Sequence, residues 1–557
     1  MGCFGGGDVD NERPDGIKGN PGELDDGPLK NRSCRDIICL ILFGAFLTFG
    51  AILLIIANRK GDLDRIFRGF DHYGDVCGQP NNPIPELEVV RPNSSGKDLT
   101  NYPKLVPVIN RCWPAPSFVS DAAQKGAQEV DKTAVADFWE KVVSTVQQSR
   151  YEILYMCLVA VGLTVVITVL LRLFSGVIIW AIIIVTALGA LIGTIVLWVL
   201  WSQEKKIVED IQNNPNSTAS VPKVKIWLWD AKKVDLFFTG AIVVTIFTTF
   251  LALSAFVGIW LLGSLTIVAA GDPVVKPEDD YQVIYAQSPA MKGFQLYHIF
   301  LFFWVTQFII ACQHVVVAGA IATWYFTRDK NKLGWPVIAS FYRLVRFHLG
   351  SVAFGSLIIA IIQFIRYLLK KVKNRVGSGN ALGCLVKCCD CCMGCFERII
   401  KFISRHAYIE IAIFGYSFCK AARQAFSVLT SNGLRLLAIN SIGDFILFLG
   451  KLAVVVSTIF IGIEIMKGLK PDLSEHMWAP IAIAAVFALL VAHCFLSIYE
   501  MAIDTLFICF CEDSARHDGE KQPYFMSKSL MEFVENSKRA MAAQDALMEK
   551  KMAPVAG

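Results

Sequence analysis

Residues 493–504 carry His493, Ser497, Glu500 and Asp504 inside a run that stays apolar almost to residue 511. At about 100° per residue, the last three fall within about 60° of His493, on one helical face. An imidazole and carboxylates so spaced can pass a proton or hold a cation. The same groups can also join two helices through an ion pair. Lipid accepts neither arrangement, so this face must point at protein or at water. If the helix enters the bilayer near Pro480, a crossing of ~20 residues ends near Glu500. His493 is then expected in the apolar core. Glu500 is expected at the rim, as a relay group or paired with a basic residue from a loop. Asp504 is expected in the headgroups, already wet. Asp444, at a span start, is expected to cap or to sit at the interface, and Lys451, seven residues on and on the same face, to form a structural pair with it or with a glutamate.

Seventeen cysteines add further chemistry. Cys77 and Cys112 share one polar segment and are expected to form a disulfide. The run 384–395, with Cys388, Cys389, Cys391 and Cys392, lacks a second ligand pair at zinc spacing, so no metal is expected. On the cytoplasmic side it would be S-acylated, and outside it would form disulfides. Gly2 is followed by Gly6 where N-myristoylation wants Ser or Thr, which leaves Cys3 as an acylation candidate. The segment 377–383 lacks the Lys-Ser/Thr of a phosphate-binding loop, and no Gly-x-Ser-x-Gly elbow stands in an α/β pattern. No enzyme and no cofactor are expected.

The elements that position these groups follow from composition. The 557 residues are 54% hydrophobic and 18% charged, below the usual quarter charged. Several runs of ~20 apolar residues match a ~30 Å hydrocarbon core. The fold class expected is an all-α polytopic membrane protein, a bundle of about nine to ten spans with one large extracellular loop. The net charge of +5 is spread over span ends, so no nucleic-acid partner is expected.

Residues 1–35 read as a disordered cytoplasmic tail, 36–57 as the first span, 58–149 as the extracellular loop, 150–511 as the bundle and 512–557 as a cytoplasmic tail with a helical pattern. Two sequons, at Asn93 and Asn216, are glycosylation candidates and place 58–149 and 202–235 outside. The run 174–201 reads as a further span. The run 236–271 is long for one span, at roughly 54 Å. A pair of short tilted spans, or a re-entrant pair, is favoured because it puts acidic 272–293 outside and basic 327–347 inside. The stretch 348–430 holds either two spans or none.

Several blocks resemble the choline transporter-like family: NRSCRD (31–36), GFDHYGDVCG (69–78), ACQHVVVAGAIATWYFTRD (311–329), RFHLGSVAFGS (346–356), NSIGDFILFLGK (440–451), AHCFLSIYEMAIDTLFICFCED (492–513) and YFMSKSLMEFVEN (524–536). The resemblance implies a ten-helix carrier in the plasma membrane or an organelle membrane. It would move choline or a related amine without sodium, by proton exchange, for phosphatidylcholine synthesis. The chain departs from the family in having only Cys77 and Cys112 in the outer loop and in its compressed 236–271. A second reading is therefore a shortened, non-transporting member that modulates a longer isoform, or a homo-oligomer.

A quaternary ammonium presents methyl groups, not donors, and is held by aromatic faces. Trp304, Gln307 and His314 fall within about a third of one helix's circumference, with Cys312 beside that arc. Trp304, Gln307 and His314, with His493 and Glu500, are the candidate substrate-binding residues. Gly350, Gly355 and the 317–320 stretch are expected to let helices approach closely.

Overall fold

The structure, a computed structural model, describes residues 28–29, 32–106, 111–113, 142, 145–146, 148–170, 236–328, 333–376, 381–431, 433–469, 477–516 and 525. Long helices dominate: α1 (Ile37–Lys60), α2 (Arg150–Leu170), α3 (Leu236–Ala269), α4 (Pro289–Phe326), α5 (Pro336–Arg343), α6 (Leu349–Val376), α7 (Ala381–Phe414), α8 (Phe418–Ser431), α9 (Gly433–Leu469) and α10 (Trp478–Arg516). Among the described residues, seven helical segments are long and apolar enough to cross a membrane, α5 and α6 counting as one. The bundle is the all-α polytopic architecture expected. The expected span 174–201, Cys3, Asn216 and the C-terminal helical pattern lie outside the described residues.

Residues 236–269 contain no proline and no charge. Nothing interrupts the hydrogen-bond ladder, and the stretch forms one helix, its apolar window running over Phe247–Ala269. The expected pair of short spans is corrected to this single helix. The excess over a ~30 Å core, roughly four turns, can be taken up by tilt and by overhang beyond the hydrocarbon, which a length limit alone does not allow for.

The two ends of the bundle are distinct. One end carries the Cys77–Cys112 disulfide, which closes a lobe against the hairpin β3 (Asp272–Lys276) and β4 (Gln282–Ala286). Strands β1 (Lys104–Val106) and β2 (Arg111–Trp113) pair beside that disulfide. Val283 N–H donates to His72 O at 3.0 Å and the Tyr285 hydroxyl to Gly74 O at 2.8 Å. Asp75 accepts from Gly96 N at 2.9 Å and Lys97 N at 3.1 Å. Burial pushes its carboxyl up from the ordinary range, against the pull of those two amides. Acidic 272–286 thus lies with the 58–113 lobe, the side that the two-span reading was meant to secure.

At the opposite end, the residues just before α1 strap three helix ends together. Gly415, at φ 71°, ends α7, as an αL glycine commonly does. Arg32 caps the carbonyls left there, donating to Ala412 O at 2.7 Å and Ile413 O at 3.2 Å. A cation at a helix C-terminus is favoured by the dipole. Asp36 accepts from the Ser351 hydroxyl at 2.5 Å and from Phe418 N, at the start of α8, at 3.0 Å.

The stretch left open at 348–430 forms two antiparallel helices, α6 and α7, joined through Gln363–Glu397 (3.1 Å), Arg366–Glu397 and Arg366–Asp390 (3.5 Å). Their approach depends on Gly355. A Cβ there would lie 2.6 Å from the Tyr408 hydroxyl and closer still to the Phe418 ring. α4 is the central helix and packs on α3, α5, α6, α7 and α10. It begins at an N-cap Ser288 with Pro289 behind it, a helix-start pairing with its first N–H groups answered or absent. The largest core cluster joins α4, α7, α8 and α10.

Candidate functional site

Of the groups of polar side chains that interrupt the core, two that touch α7 contain candidate residues. The first lies on α4. Gln307 and His314, seven residues and two turns apart, keep part of their surface accessible although α4 is surrounded. The His314 ring lies 6.3 Å from the ring of Tyr408 on α7. His314 Nδ1 and the Tyr408 hydroxyl are both buried with no hydrogen-bond partner. Tyr408 itself is 2% exposed. Unpaired polar atoms in a core cost about 1–3 kcal/mol each, so each of the two calls for a polar partner.

Trp304 sits differently. It is 1% exposed, its indole N–H donates to Ala353 O at 3.2 Å, and Phe43, Phe46 and Phe300 surround its ring. Its faces are taken by other rings in this conformation, which makes it the base of an aromatic belt.

The second group lies one turn further from the strapped end along α7. Arg405 on α7 pairs with Glu500 and, at 3.2 Å, with Asp504 on α10. His406 Nε2 lies 3.9 Å from Asp504, while its Nδ1 lies 2.8 Å from Phe402 O and faces that carbonyl. Asp504 is 2% exposed. The expected order of burial along this face is therefore reversed. Asp504 is the buried member, and His493 is exposed. Depth along one helix was the wrong measure, because α7 covers Asp504 and nothing covers His493. Glu500 has its basic partner on a helix and not on a loop. Among the described residues no ion pair joins Lys451 to Asp444 or to a glutamate, and of the two only Asp444 lines the neighbouring groove. The groove, about 430 Å³, lies between α7, α9 and α10 and is lined among others by Arg398, Lys401, Phe402, Asp444 and Glu500.

Arg405, His406 and Tyr408 were not among the candidates read from sequence. Their signal was an Arg-His pair followed by an apolar HAYIEIAIF run, inside a stretch whose crossing was left open. The remaining candidates are placed as follows. Cys77 and Cys112 are joined. Asn93 is exposed on the disulfide lobe. Cys388, Cys389, Cys391 and Cys392 are exposed thiols near the start of α7, toward the disulfide end. Among the described residues, no cluster has the make-up of a metal site.

Residues 236–515 match the family model described as plasma-membrane choline transporter. Choline transporter-like protein 1 of Torpedo marmorata is 31% identical over 92% of this chain and 94% of its own length. Its Rattus norvegicus counterpart is 32% identical over the same shares. Choline transporter-like protein 2 of Dictyostelium discoideum is 30% identical over 92% of this chain and 96% of its own length. The matched residues run from α3 to the end of α10 and contain both polar groups, and by these sequence matches the chain belongs to the choline transporter-like family.

Proposed function

We propose that this chain carries choline, or a related amine such as ethanolamine, across a membrane by alternating access, supplying phosphatidylcholine synthesis. The observation that supports the reading most directly is the pair of buried, unpartnered polar atoms His314 Nδ1 and the Tyr408 hydroxyl, on rings 6.3 Å apart. The hydroxyl of choline satisfies such atoms, and Gln307 lies two turns away on the same helix face. The methylated ammonium rests on ring faces, each contributing ~0.5–2 kcal/mol. Arg405, one turn before Tyr408, would repel a cation. Glu500 and Asp504 together over-neutralise it, which leaves the neighbourhood net negative. These acids keep the Arg405 charge from the substrate, and their pairing holds α7 to α10. Multi-pass insertion in the plasma membrane is the location that the family description suggests.

The test is radiolabelled choline uptake into proteoliposomes holding the full chain. Uptake is expected to saturate and to be competed by unlabelled choline. Tyr408→Phe, which removes one hydroxyl, is expected to raise KM about tenfold, the equivalent of one hydrogen bond near 1.4 kcal/mol. His314→Leu is expected to abolish saturable uptake. Background uptake by verified, inserted wild-type protein overturns transport for this chain and favours an accessory role beside a longer relative.

A further inference from the structure

α7 and α9 both pack on α10, but they share no extended contact with each other. Between them runs the groove, with α10 as its floor. Phe402 lines it and is exposed, and α9 carries exposed Phe445 and Phe448 next in sequence to the lining residues Asp444 and Leu447, the last Phe at 58%. Large exposed rings on a membrane-spanning bundle face lipid, so the groove opens sideways into the bilayer. Its depth is set by length. Glu500 lies about 33 Å along α10 from Trp478 at ~1.5 Å per residue, one hydrocarbon thickness. The groove therefore sits at headgroup level, and its volume falls within the range of small-molecule sites.

Its charges are of both signs, and they are separated. Arg405 is spent on Glu500 and Asp504. Arg398 on α7 and Asp444 on α9, on opposite walls, have no hydrogen-bond or ion-pair partner among the described residues. Lys401, one turn from Arg398, is bound to Glu397 at 2.7 Å and keeps further donors free. Lys451 and His493 continue the polar lining toward the bilayer centre, where acyl chains alone would leave them unsolvated.

We propose that this groove binds the headgroup of a zwitterionic phospholipid. The phosphate lies on Arg398 and Lys401, the ammonium lies toward Asp444, and the acyl chains lie along the exposed phenylalanines. An anionic lipid would leave Asp444 without a cation, since Arg405 already answers Glu500 and Asp504. A diacylglycerol would leave Arg398 and Asp444 both unanswered. Nothing in the argument depends on choline transport, since the residues assigned to lipid are not those assigned to the transported amine.

The test is native mass spectrometry of the purified full chain in detergent, titrated with phosphatidylcholine, phosphatidylglycerol or diacylglycerol. Phosphatidylcholine is expected to be retained over the other two. Arg398→Gln with Lys401→Gln is expected to cut its retention about tenfold, a loss of roughly 1.4 kcal/mol. Asp444→Asn is expected to cut retention of phosphatidylcholine but not of phosphatidylglycerol. All these residues line a groove open to the surface, and unchanged thermal midpoints of the variants would show that folding is intact. Equal retention by wild type and the double variant overturns the site. Indifference of phosphatidylcholine to Asp444→Asn overturns its zwitterionic character. Displacement of bound lipid by soluble glycerophosphocholine would assign the groove to a free headgroup compound and overturn the lipid assignment.

Discussion

Arg405 decides the character of the cluster between α7 and α10. It answers two carboxylates from the next helix, one of them Asp504 at 2% exposure. Removing one partner of a buried pair leaves charge without compensation, at a cost of about 3–5 kcal/mol. Arg405→Gln is therefore expected to lower the thermal midpoint of the solubilised protein sharply. Adding Glu500→Gln and Asp504→Asn to the same chain should restore most of the loss, because the stranded charges disappear with it. A single variant as stable as wild type would show that water already reaches the pair. Trp304 teaches the opposite lesson. An aromatic residue at mid-membrane on the central helix had the right chemistry for an ammonium, but its indole N–H and both faces are already engaged by α1, α4 and α6.

Helix contacts set the next scale. α6 and α7 come together because Gly355 has no side chain to collide with Tyr408 and Phe418. Tyr408 is also the residue proposed to meet the substrate, so packing and site share one contact. Gly355→Val adds methyl groups to a filled space and is expected to cost about 1–3 kcal/mol. It should also impair choline uptake beyond what the loss of folded protein explains, by displacing the Tyr408 hydroxyl. Uptake per folded molecule equal to wild type would separate the two roles. The strap of Arg32 and Asp36 across α6, α7 and α8 belongs to this scale too, since it ties together the ends of helices whose middles hold the site.

For the whole molecule, the two ends of the bundle make a statement about sidedness. The hairpin 272–286 hydrogen-bonds to the 70–76 segment, and Arg91 pairs with Asp280 at 2.9 Å. Both must face the same compartment. With the exposed native thiols replaced by serine, Glu86→Cys and Asp280→Cys are expected to react with an impermeant thiol reagent from one side. Lys420→Cys, on α8, should react only from the other. Labelling of Asp280→Cys together with Lys420→Cys would contradict the arrangement.

Sequence alone determined the class of this protein, its family resemblance and its disulfide, because these rest on local facts: apolar length against bilayer thickness, ordered blocks of residues, and two cysteines in one polar segment. It also put Gly350 and Gly355 at close approaches, since a missing side chain is local as well. Only the tertiary structure decided what each polar group faces. Asp504 is covered by α7, a helix whose mixed face hid its place in the bundle, while His493 lies in the gap that α7 and α9 leave between them. A single continuous helix over 236–269 was likewise settled by packing, because bilayer thickness limits what must be buried and not how long a helix can be. Phase along one helix says which residues share a face. Which neighbour covers that face is a property of the other helices.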